Sequence, residues 1–443
     1  MNETRQLEIE PLPAPAPDKQ RAKSFAESLT AVERRLRWFI IGWLTLSTIL
    51  NLISRNTLAI LAPVLKEKFD LTQADYGNII MAFQFSYAVM YVAGGRFVDR
   101  VGEKIGMAFC IGWWSVCTML HALARGVWSL GLVRFLLGVG EPGNYPAALR
   151  ASARWFAREE RGLPIAIWSA GSSVGSLLSV PMIAFLALHF GWQTAFVVPG
   201  LLGVIWLVVW LLAYRLPSVA VNAAGWAAKT SSAETSKSET FFDLLRDRKV
   251  WGLTLARLLT DPIWVFYLAW TPKYLAEVWK FDLRQMAFFG WIPFLFGGLG
   301  GVLGGVASDR LIRGGWAPPR ARKFCLYVTG ALAPLGMLTG LVGTPGAALA
   351  LVAMMAFICY VWFINTAALM SDVFPENVVG TVLGLGAGAG QFGGIAMAGL
   401  AGYLLEHSSN ARYGYMTLFF VAGSAYVLAS LILFFLLKEK SPK

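Results

Sequence analysis

Twelve mostly apolar stretches, each long enough to cross a bilayer as a helix of about 20 residues, follow one another along this chain. They run over 37–60, 76–97, 105–124, 127–150, 162–187, 192–214, 250–276, 286–306, 323–342, 346–371, 380–404 and 414–437. In hydrocarbon a spanning segment must satisfy its own backbone hydrogen bonds, so the pattern reads as an all-α polytopic membrane protein with twelve transmembrane helices. Several stretches exceed one bilayer thickness and imply tilt. Only 14% of the 443 residues are charged and 56% are hydrophobic, against about 25% charged in a soluble chain.

A net charge of +12 would point to nucleic acid in a soluble protein. Here the basic residues gather in short connections. Arg34, Arg35 and Arg37 precede the first stretch, and Arg96, Arg100 and Lys104 follow the second. Arg150, Arg154, Arg158 and Arg161 follow the fourth, and Arg310, Arg313, Arg320, Arg322 and Lys323 follow the eighth. The opposite connections 188–191 and 342–346 carry no lysine or arginine. Such asymmetry is a topology signal that puts both termini in the cytoplasm, makes the bilayer the surrounding partner and leaves no case for nucleic acid. Residues 1–34 are polar and proline-rich without an apolar core. They read as a disordered cytoplasmic tail and not a cleavable signal, which makes the first apolar segment a retained anchor. The long polar interruption 215–249 reads as a cytoplasmic linker ending in a short amphipathic helix around Phe241–Leu245. It separates 35–214 from 250–437, with 438–443 as a second cytoplasmic tail. Cys110, Cys117, Cys325 and Cys359 lie scattered in apolar stretches, and the three histidines complete no ligand cluster, so neither a metal nor a cofactor is expected.

The chain repeats itself. Gly95-x-x-x-Asp99-Arg100 follows the second stretch and Gly305-x-x-x-Asp309-Arg310 follows the eighth, an offset of 210 residues. One cue at the same place in each half implies duplicated bundles. The paired loops, the twelve-helix layout and the central linker together resemble the major facilitator superfamily over residues 35–440. The resemblance implies two pseudo-symmetric six-helix bundles that rock about a midplane site. In that frame Gly95, Asp99, Arg100, Asp309 and Arg310 are gating residues, pairing across the halves when the cytoplasmic side closes.

Ionisable residues inside membrane segments are expensive and so point to function. Arg55 interrupts the first stretch. Arg134 and Glu141 share the fourth, seven residues apart, which places them on one helix face about 10 Å apart. An arginine cannot lose its proton and grips a carboxylate with two donors. Glu141 lies beside Pro142 and before Pro146, and a carboxylate in such a place can report the arrival of an anion by exchanging a proton. Gly138 and Gly140 allow close helix approach. These residues suggest an organic-anion site coupled to a proton.

They also narrow the resemblance. The start R-N-T-L-x-x-x-x-P at Arg55, the helix R-F-x-x-G-x-x-E-x-x-x-x-P at Arg134 and the loop W-F-x-x-x-E-R-G over Trp155–Gly162 resemble the anion:cation symporter branch. The stretches VWGLTLARLLTDPIWVFYLAWTPKYL and FGWIPFLFGGLGGVLGG are similar to its bacterial hexuronate transporters. That likeness makes Arg55 the substrate clamp, Glu141 and Arg134 the proton-coupling pair, and Tyr87 the helix-2 tyrosine of the site. Many members carry an aspartate directly before the first arginine; here Ser54 stands there, which leaves Glu141 as the principal proton carrier.

In the second half Arg257 and Asp261 are four residues apart, within reach of an intrahelical ion pair. Trp264 and Tyr267 share a face suited to stacking on a pyranose. Asn365, Gln391 and Ser172 are further candidates for sugar hydroxyls. The glycine run 384–394 reads as a packing surface and gate, since no strand precedes it. The expectation is a monomeric inner-membrane symporter that takes up a sugar-acid anion, a hexuronate such as galacturonate or glucuronate, with protons as the coupling ion. Another organic anion, drug export and a non-transporting sensor are the rivals. No nucleophile–base arrangement supports an enzyme.

Overall fold

The computed structural model describes residues 29–156, 162–216, 244–374 and 376–437. Most of the expected N-terminal tail, most of the linker with Phe241, and the tail 438–443 lie outside them. Among the described residues every regular element is helical. Twelve crossings result: α1 (Ala31–Ile60), α2 (Gln73–Val101), α3 (Glu103–Leu120), α4 (Val127–Gly140, then a 3-10 turn Glu141–Gly143 and a helix Asn144–Trp155), α5 (Gly162–Phe190) and α6 (Thr194–Ala213). The second set is α7 (Arg248–Trp279), α8 (Ile292–Arg313), α9 (Pro318–Leu332 and the 3-10 segment Ala333–Gly340), α10 (Pro345–Val373), α11 (Glu376–Glu406) and α12 (Ala411–Leu436).

Several helices start earlier than their apolar runs. Thr30 and Glu33 close a capping box ahead of α1, and Thr72 and Asp75 do the same for α2. The capping side chains satisfy backbone donors that would otherwise be orphaned, so helix begins before hydrophobicity does. Eight crossings are long and apolar enough to span a membrane unaided. The other four are α2, α4, α7 and α9. Of these, α4 is broken by its 3-10 turn, α7 carries Arg257, Asp261, Lys273 and Glu277, and the α-helical part of α9 has 15 residues.

Packing repeats with a shift of six helices. In the first half α1 lies on α5, α2 on α4 and α3 on α6; in the second α7 lies on α11, α8 on α10 and α9 on α12. The halves meet through α2 against α11, its symmetry mate α5 against α8, and α1 against α7. A Cβ added at Gly77 would sit 3.0 Å from Gly402 Cα, so α2 and α11 approach backbone to backbone.

All six odd-numbered crossings begin on the face where α1 begins and α12 ends, the terminal face. On the opposite, distal face a polar clasp joins the halves. Glu277 accepts from Lys66 Nζ at 2.6 Å and Gln73 Nε2 at 2.9 Å, and from the Tyr415 hydroxyl at 3.1 Å. Glu406 caps the first turn of α2 from the other half, accepting from the backbone N–H groups of Gln73 at 2.7 Å and Ala74 at 3.2 Å. Lys273 donates to Gln73 Oε1. Lys66–Glu277 is the ion pair that crosses between the halves among the described residues; the terminal-face pairs each stay within one half. These contacts join the two halves at the distal face.

Candidate functional site

The centre of the first half is a polar stripe on α1. Ser47, Thr48, Asn51, Ser54 and Arg55 recur at helical spacing, and all but Arg55 are buried. Ser47 donates to Asn144 Oδ1 at 3.1 Å, and Asn56 to Ser179 Oγ at 3.1 Å, tying α1 to α4 and α5. Where the stripe reaches Arg55, α2 and α4 close over it. A Cβ at Gly138 would lie 2.7 Å from the Phe83 carbonyl. Only a glycine there lets α4 reach α2, as its spacing predicted.

Arg55 places both Nε and Nη2 at 2.8 Å from Glu141 Oε2. The Glu141 side chain is fully buried, while 21% of the Arg55 side chain stays exposed. Arg134 is buried and donates its Nη2 to the Arg55 carbonyl oxygen at 2.7 Å. Of the two cations expected beside Glu141, Arg55 makes the direct contact and Arg134 stands behind it. Two helical turns leave a gap between the Glu141 and Arg134 side chains, and Arg55 fills it from α1, with its guanidinium on Glu141 and its backbone on Arg134. Phe83 lies between the two cations, 5.5 Å from the Arg55 guanidinium and 4.7 Å from that of Arg134. Tyr87 lies 4.5 Å under Arg55. Such ring contacts contribute about 0.5–2 kcal/mol each and hold two like charges in one site. Bonding capacity remains: among the described residues Glu141 Oε1, Arg134 Nε and Nη1, Asn51 Nδ2 and Ser54 Oγ are buried without hydrogen-bond partners. Buried polar atoms are rarely left so.

In the second half Arg257 grips Asp261 through Nη2 at 2.7 Å and Nε at 2.9 Å, the ion pair its spacing allowed. Gln391 is half-buried and its Oε1 has no hydrogen-bond partner among the described residues. Ser172 is also half-buried. Two expected cavity residues lie within the packing of the second half in this structure, while the Tyr267 hydroxyl and Asn365 Oδ1 take no partner among the described residues. Tyr267 is buried against Phe419 and Phe266. Asn365 is fully buried and donates to the Gly304 and Val361 carbonyls, joining α10 to α8. Trp264 sets its edge on Tyr360, ring centres 4.9 Å apart. The face it shares with Tyr267 lines a crevice of about 10 Å³ against α8, too small for a sugar. Helical spacing grouped these residues correctly but could not tell which neighbour the face meets.

Of the gating residues, Gly95 and Asp99 lie outside the residues whose side chains are described. Arg100 and Arg310 are exposed. Asp309 pairs with Arg322 at 2.9 Å within its own half, and Arg322 also reaches Asp372 at 3.6 Å. A matching cluster in the first half joins Glu103 to Arg150 at 3.1 Å, Arg154 at 3.4 Å and the Tyr214 hydroxyl at 3.1 Å. Burial, with Glu103 beside it, pushes the Tyr214 phenol above its usual range. The sequence reading passed over this cluster and the distal clasp. Lys273 and Glu277, four apart at the end of an apolar helix, were the available signal.

Two six-helix bundles around a buried cation–carboxylate site, closed by polar contacts at one face, are the architecture of a membrane transporter. The Major Facilitator Superfamily matches the chain over residues 44–398, and the chain belongs to that family. It is 30% identical over 414 residues to the hexuronate transporter of Escherichia coli K12, covering 91% of this chain and 95% of that protein. It is 32% identical over 278 residues to the galacturonate transporter of Dickeya chrysanthemi, 61% of this chain and 81% of that one. A bacterial homologue of the human lysosomal transporter Spinster, in an inward-facing, unoccupied conformation, superposes with a TM-score of 0.75 at 19% identity, covering 92% of this chain and 99% of that one. The protein is a multi-pass membrane transporter of a small molecule, not an enzyme.

Proposed function

We propose that this transporter is a proton-coupled symporter that imports a sugar-acid anion, a hexuronate such as galacturonate or glucuronate, across the bacterial inner membrane as a monomer with cytoplasmic termini. The observation that carries the reading is the Arg55–Glu141 contact, two donors on one buried carboxylate oxygen. A substrate carboxylate needs the same two donors, so Glu141 and the substrate compete for Arg55. Protonating Glu141 removes its charge, weakens its hold and frees the guanidinium. The substrate carboxylate then takes Arg55, Tyr87 supports the sugar, and Gln391 and Ser172 accept or donate to hydroxyls. Loss of the proton on the cytoplasmic side restores the Arg55–Glu141 pair and expels the anion. Arg134 keeps the site cationic throughout. The names of the relatives support a sugar acid over an aromatic carboxylate. At the terminal face, Gly95, Asp99, Arg100, Asp309 and Arg310 would form the latch of the opposite state.

With Ser54 in place of an acid, one proton accompanies one monoanion and no net charge moves. A second proton would add about 2.3 kcal/mol per 100 mV of membrane potential. The test is uptake of labelled galacturonate, glucuronate and galactonate into proteoliposomes, under an imposed pH gradient and, separately, an imposed voltage. Accumulation of a hexuronate driven by pH and indifferent to voltage is expected. Failure to accumulate any hexuronate overturns the substrate; accumulation driven by voltage at zero pH gradient overturns the stoichiometry.

A further inference from the structure

The Arg55 site gathers donors for a carboxylate but offers few partners for the ring of a sugar. A hexuronate carries a row of hydroxyls at its other end. Each hydroxyl both donates and accepts, and the partner best matched to such a group sets an arginine and a carboxylate side by side. The second half holds that arrangement. Arg257 spends Nε and Nη2 on Asp261 Oδ2, while Arg257 Nη1 and Asp261 Oδ1 take no hydrogen bond among the described residues. The Asp261 side chain remains 21% exposed, so the pair is not sealed in the bundle.

Its surroundings locate that exposure. The rings near it are open: Phe363 of α10, 51% exposed, lies 5.5 Å from the Arg257 guanidinium. From the other half comes Tyr91 of α2, 41% exposed. Tyr91 stands close enough to Arg257, Asp261, Tyr145 and Tyr87 to feel each of them electrostatically, and its ring centre is 6.1 Å from that of Tyr87. Tyr87 in turn lies under Arg55. Tyr87 and Tyr91 therefore form an aromatic run that extends from the carboxylate clamp of the first half toward the ion pair of the second. The backbone of α11 is cut back to leave room for the pair. A Cβ at Gly390 would stand 2.4 Å from Asp261 Oδ2, and one at Gly386 would stand 3.0 Å from Arg257 Cδ. Any larger residue at these positions would push the pair out of place. A self-satisfied structural pair would need neither the open edge nor the aromatic approach from the opposite half.

We propose that Arg257 and Asp261 form a second subsite of the central cavity, one that reads the hydroxyls of a sugar acid and so selects polyhydroxylated anions over plain carboxylates. This rests on the sugar-acid reading above and adds the element that decides specificity. With the carboxylate on the first half and the hydroxyls on the second, one bound molecule spans both halves.

The experiment compares binding of galacturonate with binding of hexanoate, a six-carbon carboxylate without hydroxyls, to purified protein by calorimetry. Asp261→Asn leaves Arg257 without its counter-ion, so the double variant Arg257→Gln/Asp261→Asn, which removes both charges together, runs beside it. Thermal unfolding checks that each variant is folded. Galacturonate affinity should fall about tenfold or more, as expected when one charge-assisted contact of about 1.5–3 kcal/mol is lost, while hexanoate affinity holds. Equal effects on both ligands, or none on either, overturn the subsite. A wild-type protein that binds no hexuronate overturns the sugar-acid reading and this inference with it. Wild-type binding with unchanged discrimination in a folded double variant overturns this inference alone.

Discussion

Replacing Glu141 by glutamine separates binding from coupling, and the structure sets the size of the effect. In the resting protein Arg55 makes two charge-assisted contacts to Glu141 Oε2, both at 2.8 Å. A hydrogen bond to a charged group contributes about 1.5–3 kcal/mol and a neutral one about 0.5–1.5 kcal/mol. A glutamine keeps the shape and an acceptor oxygen but only the neutral share. The substrate carboxylate would then displace a partner weaker by about 1.25 kcal/mol per contact, about 2.5 kcal/mol over the two, which is about seventyfold in affinity. Glutamine also mimics the protonated acid permanently. Glu141→Gln should therefore bind hexuronate about seventyfold more tightly than wild type at alkaline pH, with affinity no longer dependent on pH. Exchange of labelled for unlabelled substrate across the membrane should persist, because the occupied carrier still isomerises. Accumulation against a gradient should vanish, since no proton is released inside. Proteoliposome counterflow and pH-driven uptake measure the two properties on one preparation. Unchanged concentrative uptake in Glu141→Gln would remove this residue from the coupling step and the scheme with it.

Two further perturbations address the clamp and the distal clasp. Arg55→Lys keeps the charge but loses the two-donor fork, so hexuronate binding should weaken at least about tenfold and transport should fall with it; a wild-type KM in uptake assays would refute the clamp. Lys66→Gln or Glu277→Gln breaks the ion pair across the distal face, whose side chains are 37% and 15% exposed. A pair of that exposure contributes about 1 kcal/mol. The fraction of carriers open at the distal face should rise about fivefold, read as a longer distance between spin labels on the distal ends of the two halves. An unchanged distance distribution would show that the glycine contacts, and not the charges, hold that face shut.

Helices were legible because their defining signal is local. Apolar length placed eight of the twelve outright, and the early starts of α1 and α2 came from capping residues such as Thr30 and Thr72, whose polar character looks like loop until the capping box is noticed. The charged centre was legible for a related reason: Arg55, Arg134 and Glu141 are anomalous against their own neighbours. Which of the two arginines holds Glu141 directly was not. Seven-residue spacing on α4 joined Glu141 to Arg134, yet the nearer group came from another helix, and no periodicity within one segment reports what a neighbouring segment inserts. The same blindness sent Tyr267 and Asn365 to the cavity. Each is polar and deep, but depth in a bundle and exposure to its central space differ by a rotation of the helix, which depends on packing. The distal clasp was missed because Lys66, Gln73, Glu277 and Glu406 look like ordinary interface polar residues until the halves meet.

Charge counting within the cavity bears on why coupling could be strict. Arg55 with Glu141, and Arg257 with Asp261, are two neutral pairs, and Arg134 adds one cation held without a carboxylate contact of its own. On the proposed cycle the empty cavity carries a single net positive charge. A proton alone raises it to two, and an anion alone cancels it. Proton and monoanion together return it to one, the value of the empty carrier. The two states that must cross the membrane during uptake are then electrostatically alike, while each half-loaded state differs from them by a full charge buried at the bilayer midplane. A charge there costs several kcal/mol unless it is compensated, enough to make half-loaded carriers isomerise far more slowly. An aspartate in place of Ser54 would lower both values equally: the empty cavity would be neutral, and one proton with one monoanion would again return it to its starting charge. The residue before the first arginine would thus set the absolute charge at which the cavity crosses the membrane, and would change the stoichiometry only by carrying a second proton of its own.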